Sequence, residues 1–136
     1  MASLVVYLGF DGNCREAMDF YHNALGGETQ YMTYGQAPMP TPEEHNEKIM
    51  HSHLIADGIT LMAADTMPGQ PYNPGNNYTL TLNCTSENEL DGIWGKLSAD
   101  ASISLPIDNQ FWGAKYGQLT DKFGVNWALN YEFPKA

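Results

Sequence analysis

His51 and His53 stand two residues apart in KIMHSHLIADGITLMAAD, residues 48–65, just ahead of Asp57-Gly58. On a β-strand that spacing sets both imidazoles on one face of the sheet. Two imidazoles so placed can ligate a metal, act as acid and base near neutral pH, or form a solvated polar patch. One face of 49–56 carries Ile49, His51, His53 and Ile55; the other carries Met50, Ser52, Leu54 and Ala56. The second set is small and mostly apolar and suits packing under a helix, so the first is expected to face a cavity. Met62 on the following segment, Trp112, Tyr116, Asn126 and Asn130 are further candidates for lining a ligand pocket, as are Tyr31 and Tyr34. Aromatic side chains more often fill cores and interfaces than pockets, so each of those rings keeps that second reading. Trp127 is one step out of phase with Ala128 and is expected beneath a helix.

These residues need a frame. SLVVYLGF (3–10) is β-branched and aromatic and reads as a strand. The period then changes, with Asn13 and Glu16 in capping-box spacing and Ala17, Phe20, Tyr21, Ala24 and Leu25 on one helical side. Gly26-Gly27 ends that helix. Residues 28–35 read as a strand and the Pro-rich 36–48 as a loop. IMHSHLIA and ITLMAAD form a hairpin around Asp57-Gly58.

After a Pro/Gly/Asn-rich linker, 67–75, the pattern restarts. YTLTLNC (78–84) alternates as a strand, Ser86 and Glu89 cap a second helix, and Leu90, Ile93, Trp94 and Leu97 form its stripe. ASISLPI (101–107), with Pro106 marking an edge, GAKYGQLTD (113–121) and VNWALNYEF (125–133) follow as strands. In TDKFG, Asp121 is expected to bond its own backbone ahead of a positive-φ Gly124, which makes it a turn residue rather than a catalytic one. Ala17, Phe20, Tyr21 and Ala24 recur as Leu90, Ile93, Trp94 and Leu97 at a constant offset of 73 residues. An offset that preserves cap, acid and stripe indicates an internal repeat. The expected fold is α+β: two βαβββ modules, 1–66 and 76–136, with curved mixed sheets around a cavity.

The bulk numbers narrow the partners. A chain of 136 residues is one domain's worth. Acidic residues outnumber basic ones 16 to 6, for a net charge of −10, and such a surface repels nucleic acid and anionic membrane. No apolar run is long enough to span a bilayer, and MASLVVYLGF lacks the basic start of a signal peptide. Cys14 and Cys84 lack metal-type spacing and read as reduced thiols of a cytoplasmic protein.

YLGFDGNCREAMDFYHNALGG, MHSHLIADGITLMAADTMP and TDKFGVNWALNYEF resemble the PhnB-like branch of the vicinal oxygen chelate superfamily. That superfamily includes glyoxalase I, extradiol dioxygenases and the fosfomycin and bleomycin resistance proteins. The resemblance spans about 3–133 and implies paired βαβββ modules and a homodimer. It also locates the superfamily's usual metal ligands, His, Gln or Glu on the first and fourth strands of each module. SLVVYLGF and YTLTLNC offer no strong ligand, and ITLMAAD offers only Asp65. Ala128 stands where metal-binding members often carry Glu, with Glu132 too far along the strand. The expectation is therefore a small-molecule binder with no metal and no cofactor. The alternatives are a metal-dependent glyoxalase- or dioxygenase-type enzyme with a relocated site at His51 and His53, and a drug-sequestering resistance protein. A methyltransferase name is attached to some similar sequences, but no glycine-rich cofactor loop follows a first strand here.

Overall fold

The computed structural model describes residues 1–38, 40–67 and 69–135. Met39 of the Pro-rich loop, Pro68 of the linker and the terminal Ala136 lie outside the described residues. The chain divides into two units, Met1–Asn73 and Pro74–Ala136.

Unit one contains β1 (Val6–Phe10), α1 (Cys14–Leu25), β2 (Glu28–Thr33), β3 (Ile49–Ala56) and β4 (Ile59–Asp65). Its sheet has the order β1-β4-β3-β2. β1 runs parallel to β4, and the β3 contacts with β4 and β2 are antiparallel. Unit two repeats this with β5 (Leu80–Asn83), α2 (Glu87–Leu97), β6 (Ser102–Gln110), β7 (Ala114–Thr120) and β8 (Asn126–Glu132), ordered β5-β8-β7-β6. The two βαβββ units expected from the 73-residue repeat are present. β6 runs to nine residues rather than seven, and it is an edge strand, as Pro106 implied. Its register shifts around Leu105 and Asp108, where proline has no N–H for the ladder.

The two helices are capped by different means. Ser86 accepts a hydrogen bond from the Glu89 N–H at 3.0 Å, and the Glu89 carboxylate accepts one from the Thr85 N–H at 2.8 Å. Asn13 occupies the same place before α1, but its side chain makes no capping bond. The carboxylate of Asp65, at the end of β4, accepts the Cys14 N–H at 2.9 Å and the Ile49 N–H at 2.8 Å. Asp65 is only 3% exposed, so one buried acid ties the start of α1 to the start of β3.

Packing corrects three expectations in unit one. The buried side of α1 is Cys14, Ala17, Met18, Tyr21 and Ala24, while Phe20 is half-buried. Tyr34 is a buried core residue whose hydroxyl donates to the Asp65 carbonyl, and Tyr31 donates to the Asp19 carboxylate of α1. Both therefore lie away from any pocket on the far face of the sheet. Ile49 does not share the face of His51. The β2–β3 register slips between Met32 and Thr33, so His51 pairs with Met32 but Ile49 pairs with Thr33. One extra residue, Met50, reverses the alternation, and Ile49 is buried at 1% exposure.

The helix side of the second sheet buries Leu119, Trp127 and Leu129 with Leu90 and Leu97 of α2. Asp121 forms the expected turn, accepting the Phe123 and Val125 N–H groups at 2.8 and 3.1 Å, with Gly124 at φ 86°. Its other oxygen accepts the Trp127 indole N–H at 2.8 Å.

Candidate functional site

The sheet face of unit one that points away from α1 carries a row across four strands. Tyr7 is opposite Met62, Met62 opposite His53, and His53 opposite Gln30. His51 lies one pleat along the strand, opposite Met32. His51, His53 and Met62 are thus brought together, all half-exposed. The Tyr7 hydroxyl lies 3.1 Å from His51 Nδ1. The His51 and His53 rings stand edge to face, with centroids 6.1 Å apart. When the phenol donates to Nδ1, the imidazole carries its proton on Nε2 and keeps an N–H donor for a ligand. Loss of water around Tyr7 raises its pKa above the ordinary value, which keeps the phenol protonated and able to donate.

Unit two presents a second polar face. Asn83, Asn130, Tyr116 and Asp108 form one row; Thr81, Ala128 and Gln118 form the next; Asn126 and Thr120 begin a third. Asn130 Nδ2 donates to Asn83 Oδ1 at 3.1 Å, and Gln118 Nε2 donates to the Tyr116 hydroxyl at 2.8 Å. The Thr120 hydroxyl donates to Asn126 Oδ1 at 2.6 Å. Trp112 sits in the β6–β7 turn, edge-on to Tyr116 at 5.9 Å between centroids and 52% exposed. A hollow of about 240 Å³ opens beside Gln118, Thr120 and Asn126, under Asn76, Tyr78 and Ser104.

Tyr7, Gln118 and Thr120 were not singled out by sequence. Period-two alternation puts Tyr7 on one face of its strand, but only the parallel pairing of β1 with β4 brings it to the histidines. Among the described residues, no three His, Cys, Asp or Glu side chains gather as a metal ion would need. Asp65 faces the helix and both its oxygens hold backbone N–H groups, so the face bearing His51 does not recruit it.

The titratable groups displaced most from their ordinary values are on other faces. Burial pushes the Cys14 thiol up to about 12 and the Cys84 thiol up to about 11, from 9.0. Burial and the Asp19 carboxylate push the Tyr31 phenol up to about 12, from 10.0. The unfolded chain releases these protons earlier than the folded one. Stability from this source is therefore intact below pH 9 and lost as pH climbs from 9 towards 12. Urea midpoints should fall across that window, and Cys14→Ala should flatten the decline. A midpoint that stays level through pH 11 would contradict the burial of these groups.

The fold is that of glyoxalase-related and fosfomycin-resistance proteins, a likeness at 16% and 11% identity that shows architecture alone. The model of the family described as 3-demethylubiquinone-9 3-methyltransferase matches residues 2–130. The chain therefore belongs to that family, which it shares with a protein named PhnB, and it has the fold of the glyoxalase/bleomycin resistance/dioxygenase proteins. It is 38% identical to protein PA1353 from Pseudomonas aeruginosa, over 97% of this chain and 98% of that one, with a TM-score of 0.88. The PhnB protein from Bacillus cereus matches at 25% identity and TM-score 0.74, over 96% of this chain and 99% of its own. Protein YjdN of Escherichia coli K12 is 30% identical, with 91% of each chain covered.

Proposed function

We propose that this chain is a small-molecule-binding protein that works without a resident metal, as a cytoplasmic homodimer. The observation that carries the reading is the Tyr7–His51–His53 cluster. Its half-exposed imidazoles lie on the sheet face opposite the helix, with one ring oriented by a phenol 3.1 Å away. A patch made only for solvation needs no such orientation. Met62 supplies an adaptable apolar contact beside them; within unit two, Trp112, Tyr116, Asn126 and Asn130 are the proposed ligand contacts. The proposed modules are 1–66 and 76–136, joined by 67–75. The dimer reading is supported by Met32 and Ile55, exposed at 42% and 54% beside the histidines, and by the long edge strand β6. In sedimentation, a monomer at micromolar concentration would remove it. No helix among the described residues is long and apolar enough to cross a membrane.

A ligand screen followed by ¹H–¹⁵N NMR tests the reading. A bound small molecule should shift the resonances of His51 and His53. His51→Ala should leave the fold intact and weaken binding by roughly 2- to 13-fold, the loss of one polar contact. Lowered thermal stability with unchanged affinity would instead make the histidines structural. About one metal ion per chain in untagged protein, abolished by His51→Ala, would favour the enzyme with a relocated site. Saturable binding of S-adenosylmethionine would favour the methyl-transfer activity of the family's description.

A further inference from the structure

The hollow in unit two has a chemistry of its own. Among its described lining residues none is charged. Its polar side chains are mainly amides and hydroxyls, from Asn76, Tyr78, Thr79, Ser104, Gln118, Thr120 and Asn126. Two of the amides are fixed by neighbours that each engage one end. The Thr120 hydroxyl donates to Asn126 Oδ1, which leaves the Asn126 Nδ2 hydrogens as donors. Gln118 Nε2 donates to the Tyr116 hydroxyl, which leaves Gln118 Oε1 as an acceptor. The two side chains stand on adjacent strands, one pleat apart, since Gln118 pairs with Ala128 and Thr120 pairs with Asn126. A donor on one strand and an acceptor on the next, both from residues that line the hollow, match a group that itself offers both. The volume, about 240 Å³, is below the roughly 300–1,000 Å³ of sites for drug-sized ligands.

From this we infer that the hollow binds a small, uncharged ligand through a carboxamide, lactam or imide edge, whose N–H meets Gln118 Oε1 and whose C=O meets Asn126 Nδ2. A carboxylate would set its second oxygen against Gln118 Oε1 with no proton between them. An ammonium group would find no counter-charge in the lining and would face the Asn126 donor. The inference rests on the ligand-binding reading above and specifies its chemistry in unit two.

The test uses the full chain and four probes of similar size: uracil and 2-pyrrolidinone, against benzoate and benzylamine. Expected are saturable shifts of the Gln118 and Asn126 side-chain amides with the first two probes alone. Asn126→Asp, nearly isosteric, should weaken uracil binding by about tenfold or more. Gln118→Leu should do the same, with thermal unfolding of both variants close to that of the parent. Equal binding of the charged probes, or unchanged uracil affinity in Asn126→Asp, would overturn the inference. Probe binding confined to the His51 face would overturn it while sparing the broader reading. Silence from every probe here, together with no ligand from the screen above, would overturn both.

Discussion

Asp65→Ala should cost the folded chain roughly 3 kcal/mol or more, because each buried N–H left without a partner costs on the order of 1–3 kcal/mol. Two such groups depend on this carboxylate, those of Cys14 and Ile49, and at 3% exposure the acid is shut off from bulk solvent. The loss should appear as a fall of about 10 °C in the melting of unit one, on the scaling for chains of this size. Asp65→Asn is the informative companion. The amide keeps one acceptor oxygen and turns a donor towards the second N–H, so it should lie between the parent and Asp65→Ala. Resonances of α1 and the start of β3 should be the most perturbed. A melting temperature unchanged by Asp65→Ala would show that the helix start is held by other contacts.

Trp127→Ala should be the most damaging single change in unit two, at about 3–5 kcal/mol, the usual range for emptying a buried aromatic site. The indole is 1% exposed between strand and helix, and its N–H is held by Asp121. Trp127→Phe separates packing from polarity. It restores most of the apolar volume and removes only the indole N–H that Asp121 accepts, so it should recover more than half of the loss. Chemical denaturation followed at unit-two resonances measures both. If Trp127→Phe were as harmful as Trp127→Ala, the Asp121 contact rather than packing would dominate.

Alternation, turns and caps make most of the fold legible in the sequence alone. IMHSHLIA and ITLMAAD are β3 and β4 to the residue, because Asp57-Gly58 leaves only a two-residue connection between them. Ser86 and Glu89 cap α2 as their spacing implied, since both partners lie within one helical turn. The errors fall where a distant residue intervenes. Asn13 has the type and position of a cap, yet Asp65, 51 residues beyond Cys14, supplies the carboxylate. Ile49 obeys the alternation of its own strand until a slip against β2 reverses it. Of the candidate site, the shared face of His51 and His53 follows from a period of two. The adjacency of Tyr7 to His51 depends on the register of a parallel pair and carries no local signal.

The unequal caps have a consequence for the order in which the halves assemble. The start of α2 is completed within Thr85–Glu89, so that helix can nucleate as soon as its own residues are free to coil. The start of α1 waits for Asp65, and its closure spans a loop whose entropy must be lost before the contact forms. Nucleation should therefore favour the C-terminal repeat, with substitutions at Ser86 slowing folding and those at Asp65 chiefly hastening unfolding. Amide exchange should carry the same asymmetry. The Cys14 and Ile49 protons should be released only when the N-terminal repeat opens as a whole, whereas the Glu89 proton can escape by fraying of a single turn.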